Sequence, residues 1–137
     1  MSASKSKEEV SALPQRILVI DDEENVLLVL HDALVKLGEQ YEVVTAQEGR
    51  EALKKVRAQP FDLVITDLKM PGMDGVELTE AIKALHPDTV VIWITAYGCH
   101  DVSDAAARLM VHDCLEKPVE VAEICRTVRE ALQGSEG

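Results

Sequence analysis

Aromatic side chains are scarce in this chain of 137 residues, since Phe, Trp and Tyr together make up only 3% of it. Hydrophobic residues nevertheless account for 47% of the sequence, so a core is available but must be built from Val, Leu, Ile and Ala. Aliphatic cores of this kind suit parallel strands that are covered by helices on both faces. The length corresponds to about one domain.

Basic residues are also few: 14 Lys and Arg stand against 25 Asp and Glu, giving a net charge of −11. This balance argues against direct binding to nucleic acid, which needs Lys and Arg clustered on one face. Long apolar runs are missing as well, and none approaches the ~20 residues that a membrane span needs. The polar start does not resemble a signal peptide. We therefore expect a cytoplasmic protein without a membrane partner.

Cysteine is limited to Cys99, Cys114 and Cys125, and no two of them form a Cys-x-x-Cys pair. An odd and scattered set is typical of reduced thiols in a cytosolic protein. The sequence therefore predicts three free thiols, with no role for Cys99 or Cys125.

What the sequence does contain is an apolar run at residues 61–67 that ends abruptly on an acid, Asp67. Val64 and Ile65 are β-branched, which favours a buried strand. The next eight residues include one Pro and two Gly, so the strand must stop there and a loop begin. Asp67 is thus predicted at the carboxyl end of a central strand, where open α/β sheets place their ligand crevice.

Two other apolar runs end on charged residues. One, at residues 17–20, is followed by Asp21 and Asp22, and a shorter run leads to Lys117. Both strand ends are expected at the same crevice. We interpret Asp67 as a nucleophile and Lys117 as the partner of the group that Asp67 receives. Asp21 and Asp22 are interpreted as ligands of a cation.

Hydrophobic spacing predicts a strand followed by a helix five times in succession. The predicted strands are Arg16–Ile20, Tyr41–Thr45, Phe61–Thr66, Val90–Thr95 and Val111–Leu115. The predicted helices are Glu23–Leu37, Gln47–Ala58, Gly75–Leu85, Asp101–Met110 and Val119–Leu132. Right-handed crossovers then require a doubly wound parallel sheet, and the flavodoxin-like (βα)5 strand order 2-1-3-4-5 is favoured. Residues 1–14 are predicted as a flexible lead-in, 15–133 as one domain and 134–137 as a tail.

Four motifs occur in order, each at a predicted strand end: Ile-Asp-Asp-Glu at 20–23, Thr-Asp-Leu-Lys-Met-Pro-Gly-Met-Asp-Gly at 66–75, Thr-Ala-Tyr-Gly at 95–98 and Lys-Pro at 117–118. Each is weak alone, but together they are specific. Over residues 15–133 the sequence resembles the receiver domain of bacterial two-component response regulators. The resemblance also implies a cis peptide bond between Lys117 and Pro118.

The resemblance implies that Asp67 accepts a phosphoryl group from a sensor histidine kinase or a phosphotransfer protein. It further implies a Mg²⁺ or Mn²⁺ ion bound by Asp22, Asp67 and the Lys69 carbonyl, with Asp21 acting through water. Such a chain is not an enzyme beyond its own phosphorylation and dephosphorylation.

Conformational switching is also implied, with the Thr95 hydroxyl moving toward the phosphoryl group and Lys117 pairing with one of its oxygens. The changed surface would be the fourth helix, fifth strand and fifth helix. That surface would control an output domain or a downstream protein, or would form a homodimer.

Three residues, at two places in the chain, depart from the family pattern. Cys114 stands where most receivers carry the Tyr or Phe that rotates inward with the Thr. Met110 and Val111 stand where Gly-Ala is common, and a helix end without Gly loses the residue that most easily adopts the left-handed conformation. We expect the turn near Met110 to be displaced or mobile and the output face to be specialised.

Two alternative functions remain open at the level of sequence. The chain could be a receiver-like docking module that no longer takes a phosphoryl group. It could also be a small phosphatase or flavin binder of the same fold class. A phosphatase would want a second acid where Lys69 stands, and a flavin binder would want a Gly- and hydroxyl-rich loop where the acids at 21–24 stand.

Overall fold

A computed structural model describes residues 13–134 of the chain. The strands are β1 (Gln15–Ile20), β2 (Tyr41–Ala46), β3 (Leu63–Asp67), β4 (Val90–Thr95) and β5 (Asp113–Glu116). The helices are α1 (Glu24–Val35), α2 (Gly49–Ala58), α3 (Gly75–Leu85), α4 (Ser103–Arg108) and α5 (Val121–Gly134), with a 3-10 helix over Cys99–Val102. Most of the predicted lead-in and tail, residues 1–12 and 135–137, lies outside the described residues.

All strand pairs are parallel, and the strand order is β2-β1-β3-β4-β5. The flavodoxin-like architecture predicted from the sequence is therefore confirmed. Because the carboxyl ends of β1, β3, β4 and β5 share one edge, the residues that follow them converge there. No described helix is long and apolar enough to cross a membrane.

The core lies on both faces of the sheet, because successive side chains of a strand point to opposite faces. In β1, Ile17 and Val19 pack in the cluster that contains α1 and α5 residues. Leu18 and Ile20 pack instead against residues of α2 and α3. Apolar residues at every position of a strand therefore reflect burial on two sides, as expected for a covered parallel sheet.

The fourth βα unit differs from its sequence prediction. The segment predicted as one helix over 101–110 divides into a 3-10 helix and the short α4. The fifth strand runs over Asp113–Glu116 rather than over residues 111–115, and its Asp113 and Glu116 are exposed. Its position follows from pairing with β4, in which Trp93 aligns with Cys114 and Thr95 with Glu116.

Met110 closes α4 in the left-handed conformation, with φ of 57°. The Met110 amide donates to the Ala107 carbonyl at 3.2 Å, and the Val111 amide donates to the Ala106 carbonyl at 2.9 Å. These two bonds form the closure that usually has Gly at the left-handed position. The turn is therefore not displaced by the missing Gly, since Met110 adopts the required conformation itself. The expected mobility of this turn stays a prediction.

Replacing Met110 with Gly should raise the free energy of unfolding by about 1 kcal/mol, because Cβ strain in the left-handed region disappears. The Met110 side chain is 79% exposed, so little packing is lost. Urea unfolding provides the measurement. Lys36→Gly is the matched control, because Lys36 directly follows α1 with φ of −70° and Gly there should only destabilise. If Met110→Gly were no more stable than the unmodified protein, Met110 would not be strained in the left-handed conformation.

The prediction of three free thiols is wrong for two of the cysteines. Cys99 and Cys114 form a disulfide between the start of the 3-10 helix and β5, with Cα atoms 5.8 Å apart. That separation lies in the normal range for disulfides. The pairing was missed because the two cysteines are fifteen positions apart in sequence, and only the β4–β5 register brings them together. Cys125 is free and buried.

Candidate functional site

Asp21, Asp22 and Asp67 meet at the carboxyl edge of the sheet, as predicted, with one carboxylate oxygen from each lying within 4.8 Å of the others. We call these three residues the acidic pocket. Asp21 and Asp67 are buried, whereas Asp22 is exposed. The pocket therefore has two carboxylates held inside the fold and one at its mouth.

Asp67 is the last residue of β3, and its carboxylate is fixed by the backbone that follows it. The Leu68 amide donates to Asp67 Oδ1 at 2.7 Å, and the Lys69 amide donates to the same oxygen at 3.3 Å. Oδ2 faces the Lys117 ammonium at 3.1 Å. One oxygen is thus anchored, and the other is presented to a cationic partner.

Lys117 follows β5 and precedes a cis peptide bond to Pro118, which confirms that prediction. Its Nζ lies 2.9 Å from Asp21 Oδ2, 2.9 Å from Glu23 Oε1 and 3.1 Å from Asp67 Oδ2. Its backbone amide donates to the Thr95 carbonyl at 2.8 Å, which ties the base to the end of β4. The single ammonium therefore partners three carboxylates.

The pKa of Lys117 reflects opposing effects. Partial burial alone would lower it, but the close contacts of the ammonium with the carboxylates of Asp21, Glu23 and Asp67 outweigh burial and raise the pKa above its usual value. The ammonium is therefore charged at neutral pH. Burial raises the pKa of Asp21, and the nearby Asp67 carboxylate adds to this effect. The hydrogen bond from the Glu23 amide and the Lys117 ammonium lower that pKa, but they do not offset the burial. The charged form of Asp21 is thus less favoured than that of an exposed Asp.

Thr95 ends β4 and is buried, and the β3–β4 register places its neighbour Ile94 beside Asp67. The Thr95 hydroxyl oxygen accepts a hydrogen bond from the Tyr97 amide at 3.0 Å. Its proton is free to be donated elsewhere, because this bond uses only a lone pair. Tyr97 itself is exposed, and the Lys69 ammonium lies 5.2 Å from its ring centroid.

A family model described as the response regulator receiver domain matches residues 17–129. The chain belongs to this receiver family. The transcriptional regulatory protein GlrR of Escherichia coli (strain K12) is 36% identical over 126 residues, which cover 92% of this chain and 28% of GlrR. This receiver thus spans less than a third of the length of that regulator.

Another relative matches almost end to end. Sporulation initiation phosphotransferase F of Bacillus subtilis (strain 168) is 33% identical over 118 residues, covering 86% of this chain and 94% of its own. The solved structure of a CheY-like receiver domain protein from Methanospirillum hungatei JF-1 is 31% identical. It has a TM-score of 0.83 and covers 90% of this chain and 99% of that one. The chain therefore contains a receiver, the domain type that serves as the phosphoacceptor in two-component signalling.

The acidic pocket of this receiver suits a small divalent cation. All its donors are carboxylate oxygens, the ligands that Mg²⁺ prefers. Among residues 13–134, the buried Asp21 Oδ2 has no hydrogen-bond partner, because Lys117 lies near enough for an ion pair but is not aligned to donate. An unsatisfied buried carboxylate oxygen beside two further carboxylates is a fitting place for a cation.

Glu23 is the site residue that sequence reasoning missed. It follows Asp21 and Asp22 directly, its backbone amide donates to Asp21 Oδ1 at 2.9 Å, and its carboxylate binds Lys117. The signal was present in the acidic run after β1. It was not used because a run of acids at a helix start is usually explained by the helix dipole.

Proposed function

We propose that Asp67 is the residue of this receiver that accepts the phosphoryl group. The observation that carries the proposal is the pairing of Asp67 Oδ2 with Lys117 while Oδ1 is anchored by two backbone amides. A carboxylate held in this way is oriented, and it has a cation beside it to pair with the incoming phosphoryl oxygens. Carboxylates act as nucleophiles in other phosphotransfer reactions.

The proposed step is an in-line displacement on phosphorus. An Asp67 carboxylate oxygen forms the new P–O bond, and the P–N bond to a phosphohistidine of the donor breaks. The leaving imidazole keeps the bonding electron pair and takes up a proton. Positioning and charge neutralisation supply most of the catalysis in such reactions. Self-phosphorylation from a small phosphodonor and hydrolysis of the phosphoryl group by the protein itself belong to the same proposal.

Asp21, Asp22 and Asp67, with the Lys69 carbonyl, are proposed to hold Mg²⁺ or Mn²⁺. When bound, the cation neutralises charge on the phosphoryl oxygens and relieves repulsion among the carboxylates. The residues of the chain provide the rest. Lys117 exchanges one of its carboxylate partners for a phosphoryl oxygen, which suits a compact ammonium.

Thr95 is proposed as the switch residue. Its hydroxyl proton is free to bind a phosphoryl oxygen, and its bond from Tyr97 then has to rearrange. Phosphorylation would in this way bias the loop after β4 between two conformations. The loop leads into α4, so the change reaches the surface of α4, β5 and α5.

The test is to incubate the protein with Mg²⁺ and acetyl phosphate and to record its intact mass. We expect a phosphoryl adduct that needs Mg²⁺ and is absent in Asp67→Asn. In parallel, beryllofluoride should change the fluorescence of Trp93, the single Trp, which is buried two residues before Thr95.

Asp62→Asn is the matched control, because Asp62 is exposed just before the opposite end of β3 and the substitution makes the same change of charge. It should keep both the adduct and the fluorescence response. An adduct of equal yield in Asp67→Asn would overturn the assignment. No adduct and no response in the unmodified protein would favour the docking module without phosphorylation.

The proposed donor is a sensor histidine kinase or a phosphotransfer protein, and the proposed recipient of the signal is an output domain or a downstream protein. A homodimer through α4, β5 and α5 is proposed as one form of output, supported by the exposed side chains of Met110 and Val121. The cytoplasmic location stays a prediction. In that compartment the Cys99–Cys114 bond would be reversible, since cytosolic thiols are kept largely reduced.

A further inference from the structure

The Cys99–Cys114 disulfide lies beside the proposed switch and not at a remote part of the fold. Cys99 follows Thr95 by four residues, and Cys114 precedes Lys117 by three. The bond closes a ring that contains the 3-10 helix, α4 and the start of β5. It therefore links the segment after Thr95 covalently to the strand that delivers Lys117.

The loop between Thr95 and Cys99 is held at both ends. Thr95 is fixed in the sheet through its carbonyl, which accepts from the Lys117 amide at 2.8 Å. Cys99 is fixed to β5 by the disulfide and by a hydrogen bond from its amide to Glu116 Oε2 at 3.0 Å. Only three residues lie between the two anchors, so this loop has little freedom to move while the disulfide is intact.

We propose that Cys99 and Cys114 are a thiol–disulfide modification site whose oxidation opposes the movement of the Thr95 loop. This inference rests on the proposed function, in which Thr95 turns toward a phosphoryl group on Asp67. When the disulfide is broken, Cys99 is still held to β5 by the hydrogen bond from its backbone amide to Glu116 Oε2, but no longer by a covalent bond. The reduced form is then the one that switches readily.

The oxidant is a low-molecular-weight disulfide such as oxidised glutathione. The thiolate of one cysteine attacks a glutathione sulfur, forming a mixed disulfide and releasing one glutathione thiol. The thiolate of the other cysteine attacks the protein-bound sulfur of that mixed disulfide and releases the second glutathione. The pair loses two electrons and two protons, and glutathione disulfide gains them. Both cysteines are half-buried, so neither residue is sealed inside the core.

Coupling between the two sites must be reciprocal. If oxidation weakens the binding of a phosphoryl mimic, the mimic must favour reduction of the disulfide by the same factor. We expect about a tenfold effect, within the usual range for coupled sites. This symmetry separates true coupling from simple damage caused by oxidation.

The experiment compares the protein equilibrated with reduced glutathione and with oxidised glutathione. Alkylation and intact mass should count three free thiols in the first and one in the second. Beryllofluoride with Mg²⁺ is then titrated against each form, followed by Trp93 fluorescence. The apparent affinity should be about tenfold lower in the oxidised form. The glutathione exchange constant, measured with and without the mimic, should shift by the same factor.

Cys99→Ser should bind the mimic as the reduced protein does in either buffer. Cys125→Ser is the matched control, because Cys125 is buried on α5 and should leave the redox dependence intact. A count of three free thiols after equilibration with oxidised glutathione would overturn this inference but leave the Asp67 proposal standing. Equal affinity of the reduced and oxidised forms for beryllofluoride, with the disulfide verified by mass, would do the same. No response to the mimic in either form would overturn the Asp67 proposal and the coupling with it.

Discussion

Replacing Lys117 with Met should lower the free energy of unfolding by about 3 kcal/mol in the presence of EDTA, since removing one partner strands buried carboxylates without their cation. Lys117 contacts Asp21, Glu23 and Asp67, and the side chains of Asp21 and Asp67 are 0% and 6% exposed. Met preserves most of the aliphatic stem, so the loss reports charge rather than packing. Urea unfolding in EDTA is the measurement.

Adding Mg²⁺ should return part of that stability, because a cation that binds only the folded state stabilises it by mass action. The gain from Mg²⁺ should be larger in Lys117→Met than in the unmodified protein. Lys36→Met is the matched control, since Lys36 pairs with Asp32 at 3.0 Å while both side chains are largely exposed. Such surface pairs contribute about 0–1 kcal/mol. If Lys117→Met were as stable as its control in EDTA, the carboxylates would not depend on the ammonium.

Replacing Gly75 with Ala should destabilise the protein by about 3 kcal/mol, because no space exists for a Cβ. A Cβ on Gly75 would overlap the Asp67 carbonyl oxygen and come within 2.8 Å of Leu68 Cα. The Gly75 amide also donates to the Leu68 carbonyl at 2.9 Å, which closes the loop after β3. Relief of the overlap must therefore shift the backbone that orients Asp67.

The same substitution should reduce the yield of the Asp67 phosphoryl adduct, measured by intact mass at a temperature where the variant is folded. Gly72→Ala is the control that distinguishes a steric overlap of the Cβ from an unfavourable backbone conformation. Gly72 has φ of 80°, and a Cβ added there would meet no atom of the described part of the chain within 4 Å. Its replacement should therefore cost about 1 kcal/mol from conformation alone. If Gly75→Ala were as stable as Gly72→Ala, the loop after β3 would accommodate the Cβ without a steric cost, and the prediction would be wrong.

The elements predicted best from sequence are those whose limits have local causes. The helix over Gly75–Leu85 and the strand over Val90–Thr95 match the predicted bounds. Asp74 caps that helix by accepting from the Glu77 amide at 2.9 Å, and Glu77 accepts from the Asp74 amide in return. Such a reciprocal cap is contained within four residues, so it can be read from sequence.

Features that depend on the register between β4 and β5 were predicted poorly. The short β5 is set by its register with β4, and its composition of Asp, Cys, Leu and Glu has no strong strand preference. The Cys99–Cys114 bond depends on the same register. The acidic pocket could be predicted because parallel strands bring their carboxyl ends to one edge of the sheet. The ion pair between Lys117 and Glu23 could not, because it depends on side-chain geometry.

β5 is an edge strand, and its form has a consequence for self-association. An unpaired edge offers backbone groups to a strand of another chain, and short, charged edges discourage that addition. β5 is four residues long and exposes Asp113 and Glu116. Two copies that met at this side would bring like charges together along the strands. The homodimer proposed above would therefore form through side chains of α4, β5 and α5, and not by joining two sheets into one.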